Sequence, residues 1–264
     1  MKNSFYILTA IISLSGFTSC EKVINVDVKD SEKRIVIEGV ISDAPGLVSH
    51  TILISKTNSF SAANVRNPIS NAVVFVRDIN AGVTDTLLEI KPGEYLTQKT
   101  YGVPGHTYNL TAIVEGKTYN ASSTMPQIVP FDSIYTQNFS FFGETFVQVI
   151  PVFTDPAGVK NYYRFSVQAN DSLDKAYQAW DDLISDGKEN SRPLFSQTVS
   201  IDPKDTVTIF MDCTDKSTYD FFYTLENASG NAQTPANPIS NISNNGMGYF
   251  TAINRQKKVI IIPE

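Results

Sequence analysis

Between Arg34 and Pro126 every apolar run is soon cut by turn-forming residues, and this punctuation limits the fold more than any other feature of the chain. Ile35-Val36-Ile37-Glu38-Gly39-Val40-Ile41 stops near Asp43-Ala44-Pro45-Gly46, and Thr51 to Ser55 follows. Asn71 to Asp78 is a third run, continuous enough in apolar character to suggest burial on both faces. Thr84 to Ile90 leads into a Lys91-Pro92-Gly93-Glu94 turn and then Tyr95 to Thr97. Pro104-Gly105 turns into Thr107 to Val114, and Glu115-Gly116-Lys117 makes a tight hairpin to Thr118 to Ser122. Short runs rich in β-branched and aromatic residues, bounded by Gly, Pro, Asn and Asp, are strands, and their regular spacing predicts a sandwich. Residues 34–126 are therefore expected to form an Ig-like, Greek-key β-sandwich domain.

Met125-Pro126-Gln127-Ile128-Val129-Pro130 marks the next boundary, because proline stiffens the chain and removes hydrogen-bond donors. Residues 127–264 are expected to form a second β-rich domain carrying two short helices. Phe146 to Phe153, Asn161 to Val167, Val199 to Met211 and Lys257 to Ile262 supply its strands. Asp171-Ser172-Leu173-Asp174 has the form of a helix N-terminus, and Leu173, Ala176, Tyr177, Trp180, Leu183 and Ile184 follow at spacings of three and four up to Gly187. The second helix is predicted from Ser217 to Gly230, with Asp220 at the capping-box position and Phe222 and Leu225 inward. The Asn- and Gly-rich stretch 234–250 is too long for a simple hairpin loop, so it is expected to be functional or packed along the domain.

The amino terminus sets the compartment. Lys2 precedes a mostly apolar run from Phe5 to Phe17, too short for a bilayer span, and the small Thr18 and Ser19 lead to Cys20. Residues 1–19 are expected to be a signal peptide, and 20–33 a tether beginning at a lipidated Cys20. Acyl chains hold a protein to a membrane because each buried CH₂ contributes about 0.8 kcal/mol. With Cys20 so used, Cys213 has no intrachain disulfide partner, and the fold must rely on its core. The chain can supply one, since 42% of its residues are apolar. Net charge is −6 with no basic block, which argues against nucleic-acid binding.

Motifs for chemistry are sparse. The two histidines, His50 and His106, stand beside a strand and a turn, and no His-Glu-x-x-His, Gly-x-Ser-x-Gly or cysteine pair occurs. Neither catalytic residues, a cofactor nor a metal site is expected. Asp181-Asp182 with Asp186-Gly187 fails as a calcium loop, because Ile184 occupies a position that needs oxygen, and it reads as a solvated helix end. The better lead is Phe139-Ser140-Phe141-Phe142-Gly143, where Phe139, Phe141 and Phe142 on a loop offer an apolar contact to a partner. Asn244, Asn245 and Tyr249 in the Asn-rich stretch are the other candidates for ligand or partner binding. Asp-Ser/Thr-apolar triplets at Asp85, Asp132, Asp171 and Asp205 resemble Bacteroidota O-glycosylation sites.

Two resemblances add to this reading. Ala-Val-Val-Phe-Val at 72–76, Pro-Gly-Glu-Tyr at 92–95 and Pro-Gly-His-Thr-Tyr-Asn-Leu-Thr-Ala at 104–112 are similar to transthyretin-like and carboxypeptidase-regulatory sandwiches, which are interaction modules. Over nearly the whole mature chain, the Cys20-Glu21-Lys22-Val23-Ile24 start, Val36-Ile37-Glu38-Gly39, Asp155-Pro156 with Asn161-Tyr162-Tyr163-Arg164-Phe165, Thr218-Tyr219-Asp220, and Ser240 to Asn244 with Gly248-Tyr249-Phe250 form a second pattern. It resembles the Bacteroidota lipoproteins grouped as domain of unknown function 4249. That resemblance implies a non-catalytic outer-membrane lipoprotein, on the periplasmic or cell-surface face. It further implies an accessory to a TonB-dependent nutrient transporter, with an unknown small ligand. The alternatives are a surface hydrolase with dispersed catalytic residues and a structural or adhesive surface protein.

Overall fold

The computed structural model describes residues 32–44, 46, 50–59, 65–196, 198–229 and 237–264. The expected signal peptide, Cys20 and the tether as far as residue 31 lie outside the described residues. The fold is mostly β. In chain order the first strands are β1 (Ile35–Ser42), β2 (Thr51–Lys56), β3 (Asn67–Pro68), β4 (Val73–Asp78), β5 (Val83–Thr86), β6 (Leu88–Lys91), β7 (Glu94–Leu96), β8 (Thr107–Val114) and β9 (Lys117–Thr124). After the proline segment come β10 (Ser133–Phe141), β11 (Glu144–Thr154), β12 (Tyr162–Ala169), β13 (Ser172–Leu173), β14 (Gln178–Asp181), β15 (Glu189–Asn190) and β16 (Thr206–Thr214). Helix α1 (Lys216–Ser229) and β17 (Met247–Ile261) complete the fold. Among the described residues no helix is long and apolar enough to cross a membrane.

Ten strands share one sheet, with the path β13-β12-β16-β17-β1-β2-β7-β6, β14 also on β12 and β3 on β2. β17 joins its two parts, pairing parallel with β1 and antiparallel with β16. Strands from before and after the Met125–Pro130 segment therefore share one hydrogen-bonded ladder. That segment is instead where the apolar packing changes hands. Met125 belongs to a cluster with Ile37, Ile52, Tyr108 and Leu110, which β17 joins through Phe250 and Ala252. Val129 belongs to a second cluster with Val149, Phe153, Phe165 and Met211. Gly248 permits the β1–β17 contact, since its φ is 91° and an added Cβ would stand 2.1 Å from the Ile37 carbonyl oxygen.

The four-stranded sheet β5-β4-β8-β9 buries one face and leaves the other to solvent. Tyr108, Leu110, Ala112 and Val114 point inward along β8, and the residues between them alternate outward. This corrects the expectation for β4. Val73 is 50% exposed and Arg77 is exposed, so the apolar run is buried on one side, as antiparallel sheets allow.

The helix expected over 171–187 is absent. Gln178–Asp181 instead pairs antiparallel with β12, from Phe165 opposite Gln178 to Tyr162 opposite Asp181. Asp174 gives its N–H to the Val167 carbonyl at 2.8 Å, which continues strand pairing rather than opening a helix. Only one helical-type turn forms, at Asp182–Asp186, and Leu183 and Ile184 are 76% and 68% exposed. A stripe whose last third stays in water lacks the burial that would hold a helix, and the edge of β12 satisfies the backbone instead.

The second expected helix is present as α1, but its cap is Asp215. Asp215 Oδ1 accepts the Thr218 N–H at 2.9 Å, whereas Asp220 pairs with Lys216 one turn back. β16 begins at Thr206 rather than Val199. Pro203 lacks an N–H and Asp202 donates its own to Asp205 Oδ2 at 2.8 Å, making a turn ahead of the strand. β17 begins ten residues before Lys257, at Met247, because its first seven residues pair with β1, from Met247 opposite Val36 to Ile253 opposite Ser42.

Candidate functional site

Residues 133–154 form a hairpin that carries the exposed phenylalanines. β10 and β11 pair from Ser133 opposite Val152 to Phe141 opposite Glu144, leaving Phe142-Gly143 as a two-residue turn. Both turn residues have positive φ, 49° and 86°, as a primed turn requires. The segment read as a loop is thus strand and turn: Phe139 and Phe141 lie on β10, and Phe142, 93% exposed, is at the tip. The inner half of β11 is anchored by Val149, Ile150 and Phe153, all buried; in its outer half Val147 is partly buried against the second cluster, and Glu144, Thr145 and Phe146 are exposed.

A groove of about 670 Å³ runs between that outer half and the chain at 194–196 and 198–202. Phe139 and Phe146, directly opposite each other on the hairpin, form one wall at 44% and 47% exposure. Phe195 stands on the other at 57%. Polar groups are interleaved with the rings, among them Thr145, Gln148, Thr198 and Asp202. The second wall is held from behind: Thr198 donates its hydroxyl to Asp174 Oδ1 at 2.7 Å, and Gln178 bonds the Phe195 backbone at both ends of its amide, at 3.1 and 3.0 Å. Exposed aromatics beside fixed polar groups in a concave site are the ordinary make-up of a binding groove.

The other candidates lie elsewhere. Asn244 and Asn245 adopt φ of 55° and 59°, and their loop docks on β9. Ser243 exchanges backbone and side-chain hydrogen bonds with Asn120 at 2.8 and 2.7 Å, and the Asn245 carbonyl accepts from Arg34 Nε at 2.9 Å. Tyr249 is half-buried against Phe221 and Phe222, with ring centroids 5.0 and 4.9 Å away. Beside it the Arg164 guanidinium lies 4.4 Å from the Phe222 centroid and 5.2 Å from that of Tyr177. Arg164 Nε donates to Asp212 Oδ2 at 2.9 Å, and Arg255 reaches both Asp212 oxygens at 2.6 and 2.7 Å. Burial alone raises the Asp212 carboxyl, but the two guanidiniums outweigh it and hold the group below its usual range.

The groups with chemical potential are engaged in the framework. His106 Nδ1 sits 2.8 Å from Asp78 Oδ2, while Asp78 Oδ1 accepts the Asn80 and Ala81 N–H groups at 3.0 and 2.9 Å. His50 packs edge-on to Tyr101 at 5.7 Å, and burial lowers its pKa. Burial pushes the Cys213 thiol up to about 12, and Sγ accepts the Val129 N–H at 3.4 Å. Asp182 and Asp186 accept the Asn161 and Gly158 N–H groups, each at 2.7 Å, and so brace the 155–161 turn. In the four Asp-Ser/Thr triplets the hydroxyl residues Thr86, Ser133, Ser172 and Thr206 are exposed.

Of the residues that line the groove, the sequence singles out Phe139 but not Phe146, Phe195 or Asp202. A signal for the hairpin was present: Phe142-Gly143 is flanked by Phe139 and Phe141 on one side and Thr145 and Val147 on the other, alternation around a two-residue turn. Nothing in sequence spacing links it to Phe195. Comparison with curated proteins gives no match. The family model described as Domain of unknown function (DUF4249) matches residues 21–259, which include the hairpin, the groove and α1, and the chain belongs to that family.

Proposed function

We propose that this protein is a non-catalytic, lipid-anchored outer-membrane protein that binds a partner through the β10–β11 hairpin and its groove, as an accessory to a TonB-dependent nutrient transporter. The groove carries the binding part of this reading, because it brings the rings of Phe139, Phe146 and Phe195, each about half exposed, to one concave site. Anchoring is supported by the apolar leader ending at Cys20. The transporter link is supported by the likeness of the whole chain to lipoproteins of its family. The open face of β4 and β8 and the buried face behind it fit the transthyretin-like sandwich as the finer description of the first core. His106 bound to Asp78 and His50 packed on Tyr101 support a role without catalysis.

Two measurements test the reading. Replacing Cys20 with serine should move the protein from the envelope fraction to the soluble one; unchanged fractionation would remove the anchor. Tagged protein should retain a large β-barrel transporter, and a Phe139→Ser, Phe146→Ser, Phe195→Ser variant should lose it. Retention of the same partner by that variant would exclude the groove as its docking site.

A further inference from the structure

Hairpin register determines which backbone groups of β11 face the groove. Phe141 and Glu144 flank a two-residue turn, so they form a hydrogen-bonded pair, and Phe146 and Gln148 turn toward β10 in the same way. Thr145, Val147 and Val149 then point their N–H and C=O groups to the opposite side. Val149 demonstrates this directly, since its carbonyl accepts the Leu194 N–H at 2.9 Å. Beyond Leu194 the chain leaves β11. Phe195 sends its N–H to Gln178 at 3.1 Å, and Val199 sends its own to Ser196 at 3.2 Å. At Thr145 and Val147, therefore, no strand lies on the groove side among the described residues. A two-residue length of open strand edge faces the groove, walled by Phe139, Phe146 and Phe195.

We infer that the groove takes an extended peptide segment of a partner protein, which adds as a strand to β11 at Thr145 and Val147. This rests on the groove being the binding site, as proposed above. An open edge presents donors and acceptors at the repeat of an extended chain, and alternate side chains of the incoming strand meet the rings. Charge fits one kind of peptide. Among the residues lining the groove the only charged side chain is Asp202, and Glu144 stands exposed at the turn end of β11, so the segment should carry a lysine or arginine among alternating apolar residues.

The probe is a fluorescent peptide, Lys-Thr-Val-Thr-Phe-Thr-Val, titrated into the full mature chain. N-methylation of alternate amides in the register that faces β11 should weaken binding about tenfold or more, whereas methylation in the other register should leave it nearly unchanged. Bound peptide should also slow amide exchange at Thr145 and Val147 but not at Phe146, which β10 already protects. Val147→Pro removes an outward donor and should abolish binding; the methylated peptides serve if that variant does not fold. Equal affinity in both methylation registers, no binding at about 1 mM, or occupation of the groove by a second copy of the protein would overturn the inference. If the peptide binds with this period of two and no transporter is retained, strand addition stands and the transporter reading fails. Transporter retention by folded Val147→Pro would do the reverse.

Discussion

The charged row beneath α1 and the arm made by β10 and β11 are built by the same device, strand register that sets side chains opposite one another. In the first, β12, β16 and β17 align Arg164, Asp212 and Arg255 across three strands. In the second, β10 and β11 set Phe139 against Phe146. The difference is the cover. Helix α1 lays Phe222 over Arg164, and charges that would be solvated become a buried, mutually satisfied set. Among the described residues no helix lies over the arm, and Phe139 and Phe146 stay about half exposed. Cover, more than composition, decides whether a cross-strand row holds the fold together or is available to a partner.

The largest effect should come from removing the one anion of the covered row. Asp212→Ala leaves two guanidiniums, one of them almost fully buried, without a counter-charge, and should cost about 3–5 kcal/mol in urea unfolding. A loss under about 1 kcal/mol would mean that solvent reaches the row and that its cover is incomplete. The acid limb of stability gives a second reading of the same group. Its folded pKa lies below its unfolded value, so the contribution is complete above about pH 4 and fades as pH falls toward the folded value. Asp212→Asn should flatten that limb, and an unchanged acid transition would assign it to other carboxylates.

Removing the cover itself should come next. Phe222 is 3% exposed and packs on Arg164, Tyr177 and Tyr249 at once. Phe222→Ala should cost about 3 kcal/mol, from a core cavity and from lost cation–π contact. Phe222→Leu should recover much of the packing but not the ring's contribution. If alanine and leucine were equally damaging, the guanidinium–ring contact rather than the volume would be what holds α1 down.

Which parts were legible in the sequence follows from the same contrast. Strands of the first core could be read because alternation in β8 and β9 coincides with burial, residue by residue. Helix α1 could be read because its aromatic stripe is buried. The stripe from Leu173 to Ile184 had the same spacing and misled, since strand pairing with β12 competes for that backbone and periodicity carries no knowledge of a neighbour. β10 was hidden for the opposite reason. Most of its residues are exposed on both faces, so apart from the alternation beside its turn no apolar run marks it. The parallel contact of β1 with β17 joins the two ends of the described chain, a distance over which no local signal acts. The groove inherits that limit, because Phe146 and Phe195 line one site across segments that the bridge of Val149 to Leu194 brings together.

The smallest effect has the opposite sign and tests whether the arm is shaped for contact. Phe142 holds φ of 49° in a position where asparagine is at ease and a bulky side chain is strained. It is also 93% exposed, so little of its ring is removed from water by folding. Phe142→Asn should therefore raise stability by about 0.5–1 kcal/mol, read from the denaturation midpoint at unchanged slope. A turn that becomes more stable on losing its phenylalanine has a residue that folding did not select, and strain kept at an exposed aromatic points to contact with a partner. Should Phe142→Asn destabilise instead, the ring packs on the hairpin and the tip belongs with the covered row, as part of what holds the fold.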